Sequence, residues 1–156
     1  MKRLTDRLLA KSWSNLADDI QRSAIVTFPG VYVLAYSGNN LCGKRIDLRD
    51  VLYVGMTNAR GGIRQRLKQF VCGIEKNTSH SAGRRFFTEN SNATPHSLVG
   101  TRKKFFYACV EIHCNVNKSQ RKASDLRKMG DVAKLEYSVL ALVKEKVGRE
   151  PDLNLK

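Results

Sequence analysis

Acidic residues are scarce in this chain: Asp and Glu number 14 against 28 Lys and Arg, leaving a formal charge of +14. Long apolar runs are missing as well, with nothing near the roughly 18 residues that a membrane-spanning helix needs. No Lys-rich amphipathic segment with a bulky aromatic face offers itself to a lipid surface. The basic start Met1-Lys2-Arg3 has no apolar core behind it, because Asp6, Lys11 and Asp18 interrupt it, so the expectation is a cytoplasmic protein without a membrane partner. Cys42, Cys72, Cys109 and Cys114 form no C-x-x-C pair and only three histidines accompany them, which excludes zinc spacing. They read as free thiols, with Cys72 and Cys109 packed as small hydrophobes. Repeats and low-complexity linkers are absent, so the 156 residues form one domain over 30–156, with 1–29 as a helical extension packed on it.

What remains is a strongly basic protein, and its charge calls for an anionic partner, nucleic acid first. Ten Lys/Arg lie between Met56 and Lys104 (60, 64, 66, 68, 76, 84, 85, 102, 103 and 104) against Glu75 and Glu89 alone. Lys68, Arg84, Arg85, Lys103 and Lys104 are candidates for touching a phosphate backbone.

Trp13, Leu16, Ala17 and Ile20 recur at helical spacing, which predicts a helix from Ser12 to about Arg22, capped by Ser12 or Ser14. Two β-type runs follow, Val31 to Tyr36 and Val51 to Met56, joined by a long polar loop from Ser37 to Asp50 that carries Lys44, Arg45 and Arg49. An antiparallel register that sets Gly30 opposite Gly55 also sets Tyr32 opposite Tyr53, placing both phenols on one sheet face. After Gly55 the period lengthens, and Ile63, Leu67, Phe70, Val71 and Ile74 make one apolar stripe of a helix. Arg64 and Arg66 flank that stripe on opposite sides, and periodicity does not choose between them. Residues 75–102 read as a polar loop with room for a helical turn at Gly83 to Phe87, and contain His80 beside Ser81-Ala82-Gly83-Arg84-Arg85. Lys104 to His113 alternates as a central third strand. A basic segment, helical from Ser119, ends at Gly130, and a last helix spans Asp131 to about Val147.

Glu136 falls inside the apolar arc of that last helix, formed by Val132, Leu135, Val139, Leu140 and Val143. An unpaired carboxylate there costs several kcal/mol. It must meet a metal ion or an arginine such as Arg66, and both readings stay open.

Taken in order, Gly30-Val31-Tyr32, Tyr53-Val54-Gly55, Arg66-Leu67, Leu135-Glu136-Tyr137 and Pro151-Asp152-Leu153-Asn154 resemble the motifs of the GIY-YIG nuclease superfamily over roughly Gly30 to Asn154. The resemblance implies an α+β fold, a small three-layer α/β/α domain with a central, mainly antiparallel three-stranded sheet. It implies a Mg2+-dependent endonuclease acting on double-stranded DNA with one Mg2+ (or Mn2+) ion on Glu136. Tyr32, Tyr53, Arg66 and Glu136 are then the catalytic set, Tyr53 the base for the attacking water and Tyr32 its partner, with Gly30 and Gly55 as motif glycines. His80, Arg64 and Asn154 are further candidates for catalysis or phosphate binding. The chain departs from the family in its wide half-motif spacing, in Met56 where some members carry lysine, and in Phe70, four residues after the arginine, where many carry His or Tyr. A second reading is a nucleic-acid-binding module that keeps the fold without catalysis.

Overall fold

The computed structural model describes residues 2–78, 80–90 and 102–154. Their architecture is α+β: an antiparallel sheet of four strands in the order β1-β4-β2-β3, with helices on both faces. Strands β2 (Gly30–Ser37), β3 (Tyr53–Thr57) and β4 (Lys104–Glu111) correspond to the three sequence-predicted runs. The fourth, β1 (Ser14–Asn15), pairs with β4 at Tyr107 and Phe106. This corrects the expected three-stranded sheet and also the expected helix start. The backbone of Trp13 is extended and bonds to Lys44 and Gly43, so the helix, α2, begins only at Leu16 and runs to Gln21. Its cap is Asn15, whose side chain accepts the Asp18 N–H at 3.1 Å, and not either serine. Helix α1 (Lys2–Leu9) precedes it and sets Leu8 into the core. The long β2–β3 loop folds back on 12–13 through bridges Ser12–Arg45 and Trp13–Cys42, and its 3-10 turn at Leu48–Asp50 leads into β3.

Alternation splits the strand residues between two cores. Val31, Val33, Ala35, Val54, Phe106, Ala108 and Val110 face one side, covered by Leu8, Trp13 and the stripe Val132, Leu135, Val139, Leu140, Val143 of α5 (Ala123–Val147). Tyr32, Leu34, Tyr53, Phe105 and Tyr107 face the other, against Leu16, against Ile63, Leu67, Phe70 and Ile74 of α3 (Gly62–Lys76), and against Ala82 and Phe86 of α4 (Ser81–Asn90). Helix α4 replaces most of what reads as loop before residue 91; 79 and 91–101 lie outside the described residues. Helix α5 is likewise longer than its sequence signal and runs through Gly130. A Cβ at Gly130 would meet nothing within 4 Å, so this glycine costs about 1 kcal/mol of propensity, which packing along α5 overrides. The start of α5 is set instead by Asp125, which accepts the backbone N–H groups of Lys122 and Asn115 at 2.8 and 3.0 Å.

The register of β2 on β3 differs from expectation by two residues: Tyr32 lies opposite Gly55 and Leu34 opposite Tyr53, while Gly30 faces Thr57. A slip of two keeps every side chain on its own face, so the phenols still share one side, placed diagonally. The shift gives Gly55 its reason. A Cβ there would lie 2.6 Å from the Tyr32 ring and hydroxyl and 2.7 Å from the Tyr53 ring. Gly30 is required by a different approach, since its Cβ would lie 2.2 Å from the Val110 carbonyl oxygen of β4.

Strand β3 lies at the sheet edge, and Asn154 closes it. Its carboxamide accepts the Val54 N–H and donates to the Val54 carbonyl, both at 2.7 Å, imitating a neighbouring strand. Asn154→Ala should cost about 3 kcal/mol in urea unfolding, because it orphans two groups of a buried residue. Asn154→Asp, which retains the acceptor only, should fall between.

Candidate active site

Tyr32 is fully buried beneath α3 and α4, and Tyr53 is 8% exposed. Their ring centroids are 6.1 Å apart. Phe70 lies 6.4 Å from the Tyr53 ring and nearly parallel to it. Burial pushes both hydroxyls up from the ordinary phenol range, with the Arg66 guanidinium opposing it. Arg66 is half-buried on α3 and donates to the Gln69 side chain at 3.3 Å. On its outer side lies a groove of about 380 Å³, lined by Met56, Asn58, Gln65 and Gln69. The structure therefore separates the two arginines. Arg64 donates to the carbonyls of Ile25 and Ser23, both at 2.7 Å, which anchors the chain entering β2.

Glu136 is half-buried on α5 rather than sunk in its apolar arc, and its charge is felt at Tyr53, whose ionisation it opposes. The charge of Arg66 on α3 thus acts on both phenols, and that of Glu136 on α5 acts on Tyr53.

His80 is the least expected member, since a histidine in a polar segment reads as surface. It is 0% exposed, with its ring edge-on to Tyr53 and Phe70 at 5.7 and 5.6 Å and its Nε2 3.2 Å from the Tyr32 oxygen. Its Nδ1 accepts the Ala82 N–H at 3.2 Å, so the side chain caps the first turn of α4. Burial, followed by the charges of Arg66 and Arg85, lowers its pKa to about 4, so the ring is neutral at physiological pH. What lets it sink so deep is a glycine crossing. Gly73 of α3 and Gly83 of α4 touch, and a Cβ at Gly83 would lie 2.4 Å from the Phe70 carbonyl oxygen.

This predicts a pH dependence of stability. A histidine that titrates near 6.5 when unfolded and near 4 when folded makes the unfolded chain bind more protons across that window. Stability therefore falls as pH drops from about 6.5 to 4, by on the order of 2 to 3 kcal/mol. The groups facing the ring are Tyr32, Tyr53, Arg66 and Arg85. Urea midpoints across that range should show the slope, and His80→Asn should flatten it while retaining an acceptor for the Ala82 N–H.

The remaining basic candidates divide. Arg85 is half-buried, donates to the Leu153 carbonyl, has a buried Nε without a protein partner, and acts electrostatically on Tyr53 and His80. Lys68 and Arg84 are exposed on α3 and α4. Lys103 lies over the Tyr36 ring at 5.7 Å, and Lys104 pairs with Ser37 at the far end of β2, away from Tyr32. Among the described residues all four cysteines are free, no three His, Cys, Asp or Glu cluster as metal ligands, and no helix is long and apolar enough to cross a membrane. Comparison of the chain with protein-family models, with curated proteins and with solved structures returned no match.

Proposed function

We propose that this protein is a metal-dependent DNA endonuclease that hydrolyses phosphodiester bonds at a GIY-YIG-type site. The observation that carries the reading is that Tyr32 and Tyr53 lie with ring centroids 6.1 Å apart, with the charge of Arg66 acting on both phenols and that of Glu136 on Tyr53, in a chain with a net charge of +14. Glu136 offers a hard oxygen from a half-buried position. That donor fits one Mg2+ or Mn2+ ion, which readily completes its shell with waters and substrate oxygens. Such an ion supplies polarisation of the scissile phosphate and stabilisation of the leaving oxygen.

The chain's own residues do the rest. Arg66 binds the non-bridging phosphate oxygens and neutralises the charge that grows on them. Tyr53, the more exposed of the two phenols, takes the proton of the attacking water, helped by Arg66, whose charge favours the phenolate. Arg85 and the exposed Lys68 and Arg84 extend positive surface for the duplex backbone. Arg66→Lys should lower cleavage by about a hundredfold, since an ammonium does not reproduce the planar donor fork.

Supercoiled plasmid incubated with protein and Mg2+ should be nicked or linearised, and EDTA should stop the reaction. The observation favouring a silent binding module is that burial raises both tyrosines. That reading holds if binding is retained and weakens steeply with salt while the plasmid stays supercoiled.

A further inference from the structure

We propose that His80 is a positioning residue that fixes the direction of the hydrogen-bond chain through the two tyrosines, so that the Tyr32 hydroxyl always points its proton at Tyr53. The proposal rests on the endonuclease reading for its catalytic consequence, but its structural content stands on the protein alone.

The direction follows from donor and acceptor counting. A backbone N–H only donates, so the Ala82 N–H, 3.2 Å from His80 Nδ1, requires that nitrogen to be unprotonated. A neutral imidazole has one proton, which is therefore on Nε2. Nε2 lies 3.2 Å from the Tyr32 oxygen and must donate to it. Arg66, whose charge acts on that hydroxyl, has donors only. A phenol oxygen that accepts from His80 has a single proton of its own to give, and neither of these neighbours can accept it. The neighbour left to take it is Tyr53, whose ring centroid lies 6.1 Å from that of Tyr32 and whose ring edge lies with the Tyr32 hydroxyl over Gly55. The chain reads Ala82 N–H to His80, His80 to Tyr32, Tyr32 to Tyr53. It ends on an oxygen that accepts from within the protein and is open to a water proton.

The arrangement answers what Phe70 leaves open. Phe70 cannot exchange a proton, but its ring packs edge-on to His80 and holds the imidazole in plane for both bonds. When Tyr53 is ionised, the Tyr32 proton supports the phenolate. In the hydrolytic step an O–H bond of water breaks as the Tyr53 O–H bond forms. The water oxygen bonds to phosphorus, the leaving P–O bond breaks, and the departing oxygen takes a proton from solvent. His80 gives up no proton in this sequence.

Two measurements on the whole protein test the proposal. Long-range proton–nitrogen correlation spectra of the metal-free protein at neutral pH should show His80 as the neutral Nε2–H form. An Nδ1–H form or an imidazolium overturns the proposal whatever the activity. In cleavage assays, His80→Asn retains the acceptor for Ala82 but loses the donor to Tyr32, and should lower kcat about tenfold or more with KM unchanged. His80→Gln places an amide donor near the Nε2 position and should restore most of kcat. Equal loss in both, in proteins whose amide spectra show an intact fold, overturns the proposal in favour of simple space filling. If the Nε2–H form is found but no variant and no wild-type preparation cuts DNA, the positioning stands and the endonuclease reading fails.

Discussion

Glu136→Gln should leave the protein folded and reduce Mg2+-dependent plasmid cleavage by about a thousandfold, a loss of roughly 4 kcal/mol of transition-state stabilisation. The fold survives because glutamine has the same shape and the core of α5 is carried by Val132, Leu135, Val139, Leu140 and Val143. The sign of the local electrostatics makes the result informative. The Glu136 charge opposes ionisation of Tyr53, so removing it makes that phenol a more available base. A loss of cleavage therefore comes from the missing ligand and not from a weakened base. Paramagnetic broadening by Mn2+ should be seen around residue 136 in the wild type and vanish in Glu136→Gln. Undiminished cleavage by the variant would remove Glu136 from the site. If Glu136 serves instead as an internal counter-charge to Arg66, the variant should lose stability with no change in cleavage, and a second substitution at Arg66 should recover part of it.

Gly55→Ala should be strongly damaging, costing about 3 kcal/mol in urea unfolding and removing most cleavage activity from the folded fraction. The added methyl has nowhere to go. It would lie 2.6 Å from the end of Tyr32 and 2.7 Å from Tyr53, and Tyr32 cannot swing aside because it is fully buried and bonded to His80. Overpacking of this kind costs about 1–3 kcal/mol and occasionally more, and here it also pushes the two phenols out of place. Gly130→Ala is the control. It has open space around it and should stabilise α5 by several tenths of a kcal/mol up to about 1. Equal stability of Gly55→Ala and wild type would mean that Tyr32 does not occupy the place described.

Period and spacing made much of this molecule legible. The alternation in β2 and β4 and the apolar stripe of α3 appear in the sequence because each element buries one or two faces and shows it in its own residues. The same parity put Tyr32 and Tyr53 on one face even though the register was two residues off, since only an odd slip changes faces. The misread elements are those whose reasons lie elsewhere in the chain. Trp13 is extended because residues 42–45 pair with its neighbourhood. Helix α4 is amphipathic over only ten residues and owes its place to packing on α3. Gly130 reads as a stop because local propensity takes no account of the core along α5.

The candidate site divides in the same way. Tyrosines, motif glycines and Glu136 are marked by short local patterns, and the α3 stripe marks Arg64 and Arg66 alike. The choice between Arg64 and Arg66 needed the carbonyls of Ile25 and Ser23. His80 was a candidate from its place beside Ser81-Ala82-Gly83-Arg84-Arg85, but its burial had no local signal beyond a pair of glycines, Gly73 and Gly83, whose contact exists only once two helices cross. By itself, then, the sequence determined a basic α+β chain with two phenols on one face, an arginine beside them and a carboxylate further along. The tertiary structure alone decided that a neutral histidine is pressed between the tyrosines and Phe70, because tautomer, burial and hydrogen-bond direction are properties of surroundings that residues distant in sequence create.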